Sequence, residues 1–419
     1  MIHQIGGKLR AKIHEFSGEV SLGLGKVKRR MVEEMIYGIQ ARGSVRVSEV
    51  ARALEEEIAL DKTHERLRRN LGDPAIREVV GSALLEQGAK RIGKHTLLIV
   101  DLSDLRKKYA QKMEYLAGIR DGSEKELGLG YWLCEVIGAE VGSAELTPLA
   151  QSLWSQKAED FVSENEEILR QIRRVRTATA GRGIVVLDRG GDRRELYAEL
   201  VPGRARFLIR QRGDRDLLYQ GELRETRELA RSCPTPYAET VVKEDKGHEK
   251  VYRIEFGFRP VRLPEWPEVL LWLVVVRGFG EEPLMLLTTE PMRLKRSVVW
   301  WAVAAYLTRW RVEETIRFIK QSYQLEDIRV LSYERLRNLA TLVLACFFFG
   351  AVYLGRKAKL KILVVHLLRA GKRLFGVPDF RYYALADGIQ TILRRVGKGP
   401  LGARRAAAPE DRQIPLFQT

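Results

Sequence analysis

Residues 297–321 read SVVWWAVAAYLTRWRVEETIRFIKQ. The stretch contains no Pro or Gly, so it predicts one unbroken helix from Ser297 to Gln321. At about 100° per residue, Tyr306, Arg309, Glu313, Arg317 and Lys320 fall within an arc of roughly 80°. Val303, Ala305, Leu307, Ile316 and Ile319 flank that stripe and are expected to pack inward. A single carboxylate among cations and a tyrosine is unusual for a solvated face, which mixes both signs more evenly. Glu313 is a candidate metal ligand, with Arg309, Arg317 and Lys320 facing phosphates. The plainer alternative is a surface helix with Arg309–Glu313–Arg317 pairs at i, i+4.

Two apolar runs end in an aspartate. Leu97–Val100 leads into Asp101, and Ile184–Leu187 leads into Asp188. Both read as buried strands presenting an acid at their ends. Two strand-end acids and one helix acid supply the hard oxygen ligands that Mg²⁺ prefers. Asp104 is the rival to Asp101, which closes its apolar run directly. Asp192 stands in the same relation to Asp188 and is expected to N-cap the next helix. Glu314 lies about 100° away from the stripe and is the poorer choice.

The 419 residues carry a net charge of +17. That length suggests two or three domains, and the charge favours a polyanionic partner, most simply nucleic acid. Cys134, Cys233 and Cys346 form no CxxC pair, which argues against a disulfide framework or a zinc finger. The opening residues lack the apolar core of a signal peptide. Residues 339–354, LATLVLACFFFGAVYL, are too short to span a bilayer and predict a buried core helix. No membrane partner is expected, and the predicted location is the cytoplasm.

In chain order, residues 1–90 read as short helices and form a candidate DNA-binding region. Val27, Met31, Met35, Ile36 and Ile39 mark one helix ended by Gly43, Ser48 is the expected N-cap of a second, and Asp61–Arg69 forms a basic third. Residues 91–211 alternate strands and helices, the mark of a mixed α/β sheet flanked by helices. Residues 212–296 form a β-rich insertion punctuated by Gly and Pro. Residues 297–360 return to helix and carry Glu313. Residues 361–419 form a helical region ending in a flexible tail from about residue 397.

The spacing Tyr306-x2-Arg309-x3-Glu313-x6-Lys320 resembles the YREK motif of bacterial DDE transposases of the insertion-sequence-four type. The strings VDLSD at 100–104 and LDRGGD at 187–192 resemble that family's two aspartate regions. The likeness covers about residues 95–355. It implies a ribonuclease-H-like catalytic core and DNA cleavage and strand transfer with Mg²⁺, for which Mn²⁺ substitutes. It implies Asp101, Asp188 and Glu313 as the metal-binding triad, and Tyr306, Arg309 and Lys320 as contacts to DNA-end phosphates. Double-stranded DNA, as element ends and target, is the implied partner, with a homodimer in the synaptic complex. In such enzymes an aromatic from the insertion stacks on a base flipped out at a hairpin end. Trp266, flanked by Pro264 and Pro267, is the candidate here; Trp272 lies inside an apolar run. Both also read as ordinary core residues. The alternatives in function are a catalytically silent DNA-binding descendant and a metal-dependent nuclease without strand transfer.

Overall fold

The computed structural model describes residues 2–120, 126–245, 248–354, 365–367 and 381–401. Five helices open the chain: α1 (Ile2–Val20), α2 (Lys26–Arg42), α3 (Val47–Leu54), α4 (Leu60–Asn70) and α5 (Ala75–Ala89). Gly43 ends α2 as expected. It takes the left-handed conformation at φ 60°, and its N–H donates to the Ile39 carbonyl at 2.8 Å. A residue with a side chain is strained in that conformation. Two local expectations differ. Ser48 lies inside α3, whose cap position is Arg46, and Val27 points into solvent rather than into the core.

The first strand, β1 (Leu97–Arg106), pairs antiparallel with β3 (Leu127–Ala139). The short β2 (Ala117–Arg120) lines one end of β3, and β4 (Leu146–Trp154) pairs with the rest of it. Helix α6 (Glu164–Ala178), capped by the Ser163 hydroxyl, leads to β5 (Ile184–Leu187). Helix α7 (Arg194–Leu200) then leads to β6 (Phe207–Arg210). Strands β5 and β6 run parallel to β1. The resulting order β4-β3-β1-β5-β6, antiparallel then parallel, is the ribonuclease-H-like sheet that the sequence predicts.

The β-rich segment extends that sheet. The hairpin β7 (Asp216–Tyr219) and β8 (Glu222–Glu225) and helix α8 (Thr226–Arg231) precede β9 (Tyr237–Asp245), β10 (His248–Leu263), β11 (Trp266–Arg277) and β12 (Leu284–Thr288). Strand β12 pairs antiparallel with β6, joining Leu287 to Ile209, and β11 and β10 follow outward. Twelve strands therefore form one continuous mixed sheet among the described residues.

Strand alternation divides the interior into two apolar clusters. Leu97, Ile99, Leu105, Leu133 and Ile137 face one side; Leu98, Val100, Cys134 and Val136 face the other. The first side is covered by α9 (Arg296–Thr308), α10 (Trp310–Ser322) and α11 (Tyr333–Phe348). Helix α11 continues as a π-helical turn through Tyr353. Residues 333–353 are long and apolar enough to cross a membrane, but 89% of their most apolar window is buried inside the protein. This is the expected core helix. Helix α12 (Tyr382–Val396) packs on the same cluster. The expected tail falls largely at 402–419, outside the described residues.

The N-terminal helices join this core. Leu9, Phe16, Met35 and Ile39 share one cluster with Phe347 and Phe348 of α11. Asn338, fully buried on α11, makes the connection specific. Its amide donates to the Leu71 and Asp73 carbonyls at 2.7 and 2.9 Å, and it accepts from the Arg77 N–H at 3.1 Å. Asn338→Ala removes three hydrogen bonds to backbone groups, the one to Leu71 fully buried, and is expected to cost about 2–4 kcal/mol. Chemical denaturation checks this, and a loss below about 1 kcal/mol would mean that other contacts hold α4 and α5 in place.

Candidate functional site

The predicted helix over Ser297–Gln321 is broken at Arg309, between α9 and α10. The Thr308 hydroxyl donates back to the Ala304 carbonyl at 2.8 Å, a bond that bends helices. The Arg309 N–H bonds the Tyr306 carbonyl, three residues back, at 3.0 Å. The predicted single stripe therefore splits. Tyr306 stays on α9, only 2% exposed, and its hydroxyl has no hydrogen-bond partner. It is not brought into the cleft below, and Arg309 lies against its ring, 5.6 Å from the centre.

Glu313 follows in the first turn of α10, facing the sheet ends. Asp101 lies on β1 directly across from Glu135 of β3. The β1–β5 register joins Ile99 to Val186, so two residues further on Asp101 and Asp188 come level. Asp188 Oδ1 accepts the Gly190 N–H at 2.7 Å in the tight turn that leaves the strand. Asp101, Asp188 and Glu313 line one open cleft of about 1610 Å³, together with Arg309, Arg317 and Lys320.

Arg309 stands between two of the acids. Its guanidinium reaches Asp101 Oδ1 at 3.4 Å and Glu313 Oε1 at 2.7 Å. Burial works against the Arg309 charge, but Tyr306, Asp101 and Glu313 keep it protonated. Burial pushes the Asp101 carboxyl up to about 7; Arg309 opposes that rise, and the Asp188 and Glu313 charges add to it. Arg317 pairs with Glu314 at the cleft edge. Lys320 reaches Asp104 Oδ2 at 3.5 Å and Glu326 Oε1 at 3.1 Å. Asp104 lines the same cleft as Asp101 and serves there as a partner of Lys320. Asp192 does not cap α7. It is buried, accepting from Arg215 at 2.7 Å and from the Arg212 N–H at 2.9 Å.

Among the described residues, no three His, Cys, Asp or Glu side chains are grouped so as to hold a metal ion. Arg309 places its positive charge between Asp101 and Glu313. The donor chemistry nonetheless fits a hard divalent cation, because all three acids offer only carboxylate oxygens. A cation entering here competes with Arg309 for the same oxygens.

Two residues beside the cleft escape the sequence reading. Glu135 is buried; burial pushes its carboxyl up to about 7, the Gln151 hydrogen bond opposes that, and the Asp101 charge adds to it. Its Oε1 accepts from Gln151 at 2.8 Å, and its Oε2 has no partner. The available signal is an acid interrupting the buried alternation of Tyr131, Leu133 and Ile137. Lys107, inside a stretch that reads simply as a basic loop, is buried. Its ammonium donates to the Glu326 and Ile328 carbonyls at 2.7 and 3.3 Å, and burial lowers its pKa to about 7. Trp266 opens β11 at a two-residue turn and packs against the second cluster; it does not line the cleft. Trp272 meets Phe258 edge to face.

The raised Asp101 pKa has a definite sign for stability. The folded chain holds that proton more tightly than the unfolded chain, so folding loses stability as pH rises from about 4 towards 7. Asp101→Asn removes this loss. Without divalent cations, the variant is expected to melt a few degrees higher than the parent at about pH 8, with the difference vanishing near pH 4. Identical melting of the two proteins across this range would contradict the assignment.

Comparison with known proteins adds independent findings. Residues 137–349, just over half of the chain, match the family described as Transposase DDE domain. The match spans Asp188 and Glu313 and begins beyond Asp101. No curated protein matches the chain. Among solved structures, a piggyBac transposase in a synaptic complex with hairpin DNA has a TM-score of 0.46 at 12% identity. The alignment covers 94% of this chain and 80% of that one. The family match, over a chain whose sheet carries acids at the ends of adjacent parallel strands, is decisive: this protein belongs to the DDE transposase family.

Proposed function

We propose that this transposase cuts DNA at element ends and joins them to target DNA, a cut-and-paste reaction passing through a DNA hairpin. The observation that carries the reading is the convergence of Asp101, Asp188 and Glu313 on one cleft that Arg309, Arg317 and Lys320 also line. Asp101, Asp188 and Glu313 would hold Mg²⁺, or Mn²⁺ in its place. Bound there, the ion supplies Lewis-acid activation of the attacking oxygen and charge neutralisation at the scissile phosphate.

The chain's own groups do the remaining work. Arg309 transfers from the carboxylates to phosphate oxygens, and Arg317 and Lys320 neutralise the strand beside it. The buried Tyr306 ring supports the Arg309 guanidinium from behind. Lys62 and Arg69, exposed on α4, give the N-terminal region its phosphate-binding face, although Arg66 is committed to Glu34 and Glu56 and Arg68 pairs with Glu65. Two copies of the chain, each holding one end, account for paired cleavage in a synaptic complex. The reaction takes place in the bacterial cytoplasm, on the nucleoid.

Asp101→Asn, Asp188→Asn and Glu313→Gln are each expected to lower Mg²⁺-dependent cleavage at least about a hundredfold. DNA binding survives, because cations rather than the acids dominate it. DNA carrying the inverted repeats that flank the gene is the substrate. Cleavage near the parental rate by any variant removes that residue from the triad. Cutting without joined products identifies a nuclease, and binding without cutting by the parent identifies a silent descendant.

A further inference from the structure

The loop from Lys107 to Leu116, between β1 and β2, is pinned at both ends and presented at its tip. At its start, the Lys107 ammonium is anchored on the 326–328 carbonyls, and the Lys107 N–H donates to the Leu129 carbonyl at 2.7 Å. Towards its end, the Glu114 N–H donates to the Leu331 carbonyl at 2.9 Å. The Glu114 carboxylate in turn accepts the Tyr333 N–H at 2.8 Å, and the Tyr131 hydroxyl donates to the Glu114 carbonyl at 2.6 Å. Between these anchors, Lys108, Tyr109, Gln111 and Lys112 stand in solvent on the wall of the carboxylate cleft.

Tyr109 is the unusual member. Its side chain is 87% exposed, whereas tyrosine normally buries its ring and leaves only the hydroxyl wet. The other aromatic ring on this wall, Trp132, is stacked on Trp154 at 5.9 Å. The Lys108 ammonium lies 6.0 Å from the Tyr109 ring centre, and Lys112, Arg120 and Arg329 line the same wall. A ring offered to solvent within a cationic rim is the arrangement that binds single-stranded nucleic acid: cations track the phosphates while the ring takes a base.

We infer that Tyr109 is a stacking platform for an unpaired DNA base at the mouth of the cleft, which makes it a positioning residue for the strand to be cut. Inside a duplex both faces of a base are covered by its neighbours, so the ring finds a partner only where pairing is lost. The pinned ends of the loop keep the tip from folding away, so little conformational entropy is lost when the base docks. This inference rests on the transposase reading above and adds the form of DNA that the cleft selects.

The test uses the full chain with Ca²⁺ in place of Mg²⁺ and two duplexes of one sequence. One is fully paired, and the other is forked, with 2-aminopurine at the first unpaired position. The parent is expected to bind the fork about tenfold more tightly than the paired duplex and to quench the 2-aminopurine fluorescence. Tyr109→Ala loses the preference and the quenching while binding paired DNA within about twofold of the parent, and Tyr109→Trp keeps both. Because the ring is exposed, these substitutions leave the core intact. Retention of preference and quenching by Tyr109→Ala overturns the inference. A parent that binds both duplexes equally overturns it too, leaving the transposase reading intact, whereas a parent that binds neither overturns both.

Discussion

The Arg309 guanidinium between Asp101 and Glu313 is the interaction on which the cleft depends. Asp101 sits at the end of the buried apolar run of β1, where burial raises the cost of its charge and the Asp188 and Glu313 charges add to that cost. One arginine offsets two of them at once. It sits at the junction of α9 and α10, at residue 309. On an uninterrupted helix, Tyr306 and Arg309 would share the stripe of Glu313. In the structure the tyrosine is buried on α9 and the guanidinium lies at the junction, beside Asp101 of β1.

The sheet supplies the fixed frame. Asp101 and Asp188 belong to adjacent parallel strands whose register is set by the apolar residues before them, so the two acids stay level without contacts of their own. Strand β6 carries that register into β12, and the sheet then continues through the β-rich segment without a seam. The cleft therefore lies at the strand ends of a large rigid layer rather than between loosely joined domains.

Helix α11 performs the matching task on the covered side. Its apolar surface receives the N-terminal helices as well as the central sheet, and Asn338 fixes how α4 and α5 sit on it. The segment between α10 and α11 gives its carbonyls to Lys107 and to the loop that carries Tyr109. A basic loop is thereby held as a wall of the cleft. The same backbone links the loop that carries Tyr109 to the helix carrying Glu313.

The sequence by itself determined the periodic features and those that end in a marked residue. The two apolar runs closing on Asp101 and Asp188, the glycine stop of α2 and the buried character of residues 339–354 are local facts, legible because burial and backbone conformation act within a few residues. The order Tyr, Arg, Glu, Lys was equally visible and pointed to the family that residues 137–349 match. Tertiary structure decided what depends on distant partners. Continuous helical propensity over 297–321 did not foretell a break, because one of the two charges that hold Arg309 at the junction, Asp101, comes from another part of the chain. Asp192 has the local form of a cap, yet Arg215 claims it across 23 residues. Glu135 stands in a strand like any acid until pairing sets it opposite Asp101. Trp266 between prolines resembles a loop residue, but a two-residue turn folds it onto the core. In each case the deciding energy is a long-range pairing or burial, which the sequence near the residue does not contain.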